Sequence, residues 1–212
     1  MKKLLMILVM VFWCNVGVAD SPFNFFGIEL ASNADKYTNS KLEESFNDNH
    51  STNKYSYNPP KDKTNNLFSK YLFETSAVSN TVVEIYAESP YTHSKRVCQQ
   101  KMLVLRNKVF DLKKKFFSDK YKIVKSGYSE TIVPILEKPL NDVPKRTDPF
   151  FDINITDLNA PEDITNINFV CWMNNDIPRW RAYIRIRSDS LDRLAGNEHK
   201  TYKIDSVNTK GF

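Results

Sequence analysis

The fold is decided by residues 92–120, which read THSKRVCQQKMLVLRNKVFDLKKKFFSDK. Apolar side chains recur in this stretch at alternating spacings of four and three residues, which places them on one face of an α-helix: Cys98, Met102, Leu105, Val109, Leu112 and Phe116. We therefore predict one long amphipathic helix over about residues 92–120. Cys98 lies on its apolar face, so its thiol is expected to point towards whatever the helix covers.

Outward from the helix, the sequence alternates between apolar and polar residues with the period of a β-strand. In residues 167–173, Ile167, Phe169 and Cys171 occupy alternate positions. Turn-forming residues at 174–178 lead into residues 179–187, so these two segments are predicted to form a β-hairpin. Further strands are predicted at 26–30, 67–74, 81–87, 121–125 and 151–156, with an edge strand at 202–207.

Cys98 and Cys171 are predicted to form a disulfide. Each lies on an apolar face, one on the helix and the other on a strand, and two thiols are too few for a structural zinc site. Their separation of 73 positions does not match the C-x-x-C pattern of redox enzymes. The sequence thus predicts an α+β fold: an antiparallel sheet of about five to seven strands, with the helix packed on it and joined to it by one disulfide.

Residues 1–19 have the pattern of a secretory signal peptide. Lys2 and Lys3 are followed by an apolar run over residues 4–14 and by small residues that end at Ala19. We expect cleavage after Ala19, no transmembrane segment after signal removal, and a periplasmic or secreted protein. Residues 20–212 are predicted to form a single domain, in which the Asn-rich segment 46–66 is a long loop or a mobile arm.

The sequence contains few of the motifs that mark enzymes or cofactor sites. Five glycines, none close to another, exclude a phosphate-binding loop, a dinucleotide fingerprint and a G-x-S-x-G elbow. His50, His93 and His199 do not have the spacing of metal ligands. We predict neither catalytic residues nor a metal or cofactor, while a site assembled from distant residues stays open.

The candidate binding residues form an arginine row at alternate positions in the second strand of the hairpin: Arg179, Arg181, Tyr183, Arg185 and Arg187. In a strand these side chains stand about 6.6 Å apart on one face, which suits carboxylates, phosphates or an acidic protein surface. The alternative is that the row is solvated or paired within the chain, with Asp152 or Glu84 on a neighbouring strand.

The predicted helix is also basic, because residues 95–122 contain ten lysines or arginines and two aspartates. Together with the arginine row, this helix forms the candidate binding surface. An exported protein is not expected to bind nucleic acid, and no nucleic-acid motif accompanies the charge. The expected partner is a protein of the cell envelope, or alternatively an anionic lipid or a glycan.

We therefore expect an exported, non-catalytic binding protein. An inhibitor or immunity-type protein, which binds another protein through a basic and aromatic face, fits a small exported chain without catalytic motifs. The alternatives are an envelope hydrolase and a binder of anionic lipid or glycan, each with a site that the sequence does not reveal.

Overall fold

The computed structural model describes residues 23–47, 51–113, 121–134, 145–173 and 179–209. Two short strands come first in this part of the chain, followed by eight that build one large sheet, and two α-helices are present. The elements are β1 (Asn24–Phe25), β2 (Ile28–Glu29), β3 (Ser40–Glu44), β4 (Thr52–Tyr57), β5 (Lys70–Ser76), β6 (Val82–Glu88), α1 (Lys95–Lys113), β7 (Tyr121–Pro134), β8 (Lys145–Asp157), β9 (Ala160–Met173), β10 (Trp180–Ser188) and α2 (Asp189–Thr209).

Strands β3 to β10 form one antiparallel sheet in the order β3-β4-β5-β6-β10-β9-β8-β7. Two four-stranded meanders, β3 to β6 and β7 to β10, are joined where β6 pairs with β10. This confirms the predicted α+β class and the predicted hairpin of β9 and β10. The sheet has eight strands rather than five to seven because the polar segments before β5 contribute β3 and β4.

The segment 46–66 differs from the predicted loop or mobile arm, because it contains β4. This strand pairs with β3 on one side and with β5 on the other. Tyr55 stacks on Phe73 with 5.0 Å between ring centroids, and Tyr57 is buried. Alternating tyrosines thus bury one face of β4, although its composition is polar.

Helix α1 packs on β8, β9 and β10, against the side of the sheet that we call the apolar face. Cys98, Met102 and Leu105 are at most 1% exposed, as their helical spacing predicts. The predicted disulfide between Cys98 and Cys171 is present, with 5.8 Å between the Cα atoms. The helix begins at Lys95 rather than at residue 92, because Thr92 forms an isolated β-bridge with Trp180 of β10. It is described to Lys113, and residues 114–120 of the predicted helix lie outside the described residues.

The N-terminal segment covers the other half of the apolar face. Strands β1 and β2 form a small hairpin whose turn residues, Phe26 and Gly27, both have positive φ. The Phe26 ring lies 5.0 Å from that of Tyr71, and the Tyr37 ring lies 5.4 Å from that of Phe73. Aromatic packing therefore closes the core over β4 and β5.

Helix α2 replaces the edge strand that the sequence predicted at 202–207. Leu191 and Ala195 are spaced four residues apart and buried. Glu198 accepts hydrogen bonds from the backbone N–H groups of Val78 and Ser79 in the β5–β6 turn. The helix is thereby fixed along the end of the sheet. In the described part of the chain, neither helix is long and apolar enough to cross a membrane.

Candidate functional site: a cleft on the polar face of the sheet

Strand β10 separates its side chains onto two faces. Ala182, Ile184 and Ile186 are fully buried on the side of the sheet against which α1 packs. Residues at the intervening positions lie on the opposite side of the sheet, which we call the polar face: Arg181, Tyr183, Arg185 and Arg187. The predicted separation of faces is thus confirmed. Arg179 precedes β10 and is exposed, so the row within the strand has three arginines and one tyrosine.

The basic helix and the arginine row do not form one surface, contrary to the prediction. Cys171 pairs with Ala182 in the sheet and is bonded to Cys98 of α1. Helix α1 therefore lies on the apolar face, whereas Arg181 and Arg185 lie on the polar face. The sequence combined them because both are basic, but the thickness of the sheet separates them.

The three arginines of the row that lie within β10 are paired within the chain. Nε and Nη2 of Arg185 donate to the two carboxylate oxygens of Glu84 at 2.5 and 2.6 Å. Arg181 is paired with Glu88 on the same strand as Glu84, and Arg187 lies 3.4 Å from Asp192 of α2. This is the alternative of internal pairing. Glu84 is one of the two partners that the sequence suggested; the other, Asp152, lies on β8, with β9 between it and β10.

Around these pairs the polar face forms a cleft of about 320 Å³ that is open to solvent. Its lining comes from five adjacent strands, β4, β5, β6, β10 and β9, and carries three positive and three negative side chains: Lys54, Glu74, Glu84, Tyr86, Glu88, Trp172, Arg181, Tyr183 and Arg185. The lining is formally neutral. Its volume lies near the lower end of the range of about 300–1,000 Å³ that is usual for ligand pockets.

Glu74 fixes one wall of the cleft. One of its carboxylate oxygens accepts a hydrogen bond from the Thr52 hydroxyl at 2.7 Å, and the other accepts one from the Tyr86 hydroxyl at 2.9 Å. Burial, together with the neighbouring negative charge of Glu74, raises the pKa of Tyr86 well above its ordinary value. The phenol therefore stays protonated and serves as a permanent donor to Glu74.

Glu84 and Arg185 form a second fixed pair. Burial raises the pKa of Glu84, and the hydrogen bonds from Arg185 offset only part of that rise. Burial disfavours the charge of Arg185, but its bonds to Glu84 outweigh this effect and raise the pKa of Arg185. The guanidinium stays charged, and its side chain is 39% exposed while that of Glu84 is 9% exposed. The pair thus presents its cationic side to solvent.

Aromatic rings supply the apolar part of the cleft. Tyr86, Tyr183 and Trp172 line it, and the Lys54 ammonium lies 5.3 Å from the centre of the Tyr86 ring. Just outside, the Arg181 guanidinium lies 3.9 Å from the centre of the Tyr91 ring. Such cation–π contacts hold the long basic side chains in place.

Sequence reasoning missed several of these residues. No local pattern on its own marks Glu74, Glu88 or Trp172, and Lys54 lies in the segment 46–66, which the sequence predicts to be a long loop or a mobile arm. The outward positions of β6 offered one signal, because an outward Glu-Tyr-Glu series at 84, 86 and 88 complements an outward arginine row. That complementarity depends on β6 being next to β10, which no local pattern in the sequence predicts.

Other groups that could carry chemistry are dispersed. His93 precedes α1, His199 lies on α2, and His50 is outside the described residues. Within the ranges that the structure covers, no three histidine, cysteine, aspartate or glutamate side chains cluster as a metal site would require. Comparison with models of known protein families, with curated proteins and with solved structures gave no match.

Proposed function

We propose that this chain is an exported, non-catalytic binding protein that receives its ligand in the cleft on the polar face. The observation that carries the proposal is the cleft itself, in which paired charges and three aromatic rings converge from five strands. Ligand sites commonly combine apolar and aromatic walls with a few fixed polar groups. Export is supported by the signal-like N-terminus and by the Cys98–Cys171 disulfide, since disulfides persist mainly in oxidising compartments.

The internal ion pairs favour a cleft ligand over an acidic protein docked on an arginine row. Arg181 and Arg185 already have carboxylate partners, so an acidic surface would gain little from them. A target enzyme blocked by an inhibitor or immunity-type chain would have to insert a side chain or loop into the cleft. The concave shape therefore favours a site for a ligand or a protruding group over a flat protein interface.

The proposed absence of catalysis is supported by how the carboxylates are held. Both oxygens of Glu84 accept from Arg185, and those of Glu74 accept from Thr52 and Tyr86. A general acid needs a carboxyl group that is free to give its proton to the substrate. These glutamates serve instead as fixed acceptors.

A glycoside hydrolase is the second candidate, and one observation favours it. Glu74 and Glu84 are directly opposite in the pairing of β5 with β6, and burial raises the pKa of Glu84. Glycosidases use two carboxyl groups in different environments, one of which is kept protonated. Time-dependent release of reducing ends from a retained glycan, abolished in Glu84→Gln, would establish this candidate in place of the binding protein.

The test of the proposed function is retention from a cell-envelope extract on immobilised mature chain beginning at Asp20. We would compare the wild type with Tyr183→Ala, in the cleft, and with Tyr128→Ala, an exposed tyrosine on the edge strand β7. Mass spectrometry would identify retained proteins, lipids and glycans. We expect one component that the wild type and Tyr128→Ala retain and Tyr183→Ala loses. Retention that is equal in all three proteins would contradict the proposal.

A further inference from the structure

We infer that the ligand of the cleft is a neutral glycan, held by stacking on the aromatic rings and by hydrogen bonds to the paired charges. This inference rests on the proposed function, because it names the ligand class of the same site. It follows from three properties of the cleft: its balance of positive and negative charges, the pairing of its arginines with glutamates and the position of its aromatic rings.

The charge balance disfavours an anionic or cationic ligand. Three basic and three acidic side chains line the cleft, so a ligand with a formal charge meets no net opposite charge. The most basic element, α1, lies behind the other face of the sheet and adds no cationic side chain to the lining. Lys54 stands opposite Glu74 in the pairing of β4 with β5, so a phosphate, an anionic lipid headgroup or an acidic peptide that approaches this ammonium also meets a carboxylate.

The ion pairs of the cleft disfavour a zwitterionic ligand, because each arginine is already bonded to a glutamate. A ligand carboxylate that bound Arg185 would have to displace Glu84, and a ligand ammonium that bound Glu88 would have to displace Arg181. Each exchange would leave a partly buried charge without its partner, which is costly. Hydroxyl groups, by contrast, both donate and accept, so they can bond to the remaining lone pairs and N–H groups without opening a pair.

The rings supply the third property. Tyr183 and Trp172 are half-buried rings of the lining, whereas Tyr86 is buried and has the Lys54 ammonium beside its ring. A pyranose ring combines an apolar face with polar groups, since its C–H face stacks on an aromatic ring while its hydroxyls project from the edge. A sugar ring therefore matches the cleft in both respects, which a flat apolar ligand or a free ion does not.

The experiment is calorimetric titration of the mature chain with maltotetraose and with tetra-N-acetylchitotetraose, beside inorganic phosphate and the zwitterionic peptide trialanine. We expect saturable binding of at least one oligosaccharide, with an affinity that changes less than about twofold between about 0.05 M and about 0.5 M salt. Tyr183→Ala should weaken that binding by about tenfold or more, because a stacking ring is lost. Tyr183→Phe keeps the ring and should bind like the wild type, as should Tyr128→Ala outside the cleft.

Each outcome separates this inference from the proposed function. Saturable binding of phosphate or trialanine alone, weakened by salt, would overturn the glycan inference while the cleft remained a binding site. No binding of either oligosaccharide by the wild type would overturn it as well. Retention from the envelope extract that is unaffected by Tyr183→Ala would instead overturn the proposed function. Thermal unfolding of each variant shows whether it is folded, and Trp172→Leu provides a second cleft variant if Tyr183→Ala is not.

Discussion

The two faces of strand β10 differ in what stabilises them. On the apolar face, Ile184 pairs with Phe169 and Ala87 on its two neighbouring strands, and all three are fully buried. On the polar face, Tyr183 and Arg185 stand among glutamates and other rings at the wall of an open cleft. The apolar face is stabilised by removal of apolar surface from water, which needs only apolar residues at alternate positions. The polar face depends on particular partners.

The difference between the two faces decides where a ligand can bind. Beneath α1 the apolar face is filled by buried side chains, whereas the polar face keeps a cavity of about 320 Å³ between fixed charges. The sheet thus serves as a rigid wall, stabilised from behind by α1 and the N-terminal segment. Changes on the apolar face should alter stability most, and changes on the polar face should alter binding most.

The largest expected effect is loss of the disulfide on the apolar face. Replacing both Cys98 and Cys171 by serine should lower the free energy of unfolding by about 4 kcal/mol, because the bond closes a long loop in the unfolded chain. Urea unfolding of the variant and of the reduced wild type checks this. Both should lose the same stability, and a loss below about 1 kcal/mol in both would contradict the role given to the bond.

The next effect compares the two faces directly. Ile184→Ala should cost about 3 kcal/mol, because it leaves a cavity in a fully buried position. Arg187→Ala on the polar face should cost less than about 1 kcal/mol, since its pair with Asp192 is well exposed on both sides. Urea unfolding of the two variants measures both values. Equal costs would remove the distinction between the faces.

Opening the pair of Arg185 with Glu84 should have an intermediate effect that depends on pH. Arg185→Met should cost about 2 kcal/mol at neutral pH, less than for a fully buried pair because the arginine is 39% exposed. The double variant Arg185→Met with Glu84→Leu should cost less than the single one, since no buried charge is left unpaired.

The sign of the pH dependence follows from Glu84. Burial raises its folded-state pKa, so its contribution to stability is present at acid pH and is lost as the pH rises through that raised value. Without Arg185 the pKa rises further, and the cost of Arg185→Met should therefore be larger at about pH 8 than at about pH 5. A cost that is the same at both pH values would show that Glu84 is solvated rather than held by the arginine.

The smallest effect concerns the attachment of α2 to the sheet. Burial tends to raise the pKa of Asp163, but hydrogen bonds from Ser190 and Ser188 outweigh burial and lower it. Asp163 therefore stabilises the fold above its unfolded pKa of about 3.9, and this contribution is lost as the pH falls through the folded value. Asp163→Asn should cost about 1 kcal/mol at neutral pH.

The same variant should lose less stability on acidification than the wild type. Unfolding measured between about pH 2 and about pH 7 checks this, with Asp62→Asn as the matched control at an exposed aspartate. A wild-type acid response in Asp163→Asn would show that Asp163 does not anchor the helix.

Features of the apolar face could be predicted from the sequence, whereas the partners on the polar face mostly could not. Apolar residues recur with a period of 3.6 in α1 and of 2 in β10, and such periods are local properties of the chain. They predicted the apolar face of α1, the two faces of β10 and the inward position of both cysteines. The strand β4 was missed because its asparagines and prolines suggested a loop, although Tyr55 and Tyr57 alternate there. The helix α2 was missed although Leu191, Leu194 and Ala195 have helical spacing, because strands dominate the preceding residues.

The cleft itself could not be predicted from local patterns. Lys54, Glu84 and Arg185 are far apart in the sequence, and they meet only because β4, β5, β6 and β10 are adjacent in the sheet. Strand order is fixed by the packing of the whole chain. The arginines and one of their partners, Glu84, could therefore be predicted from the sequence, whereas the cavity between them depends on the topology of the sheet.

The central claim, that the polar face binds the ligand, is tested most directly by Trp172 and Trp180, the two tryptophans of residues 20–212. Trp172 lines the cleft, whereas Trp180 lies outside its lining, with the Lys95 ammonium 5.6 Å from its ring centre. Their indole N–H signals can be followed separately by NMR, assigned with Trp180→Phe, while the retained envelope component is added. We expect the Trp172 signal to shift and saturate while that of Trp180 stays in place. A shift of Trp180 alone, or of neither signal when the component is bound, would contradict the account.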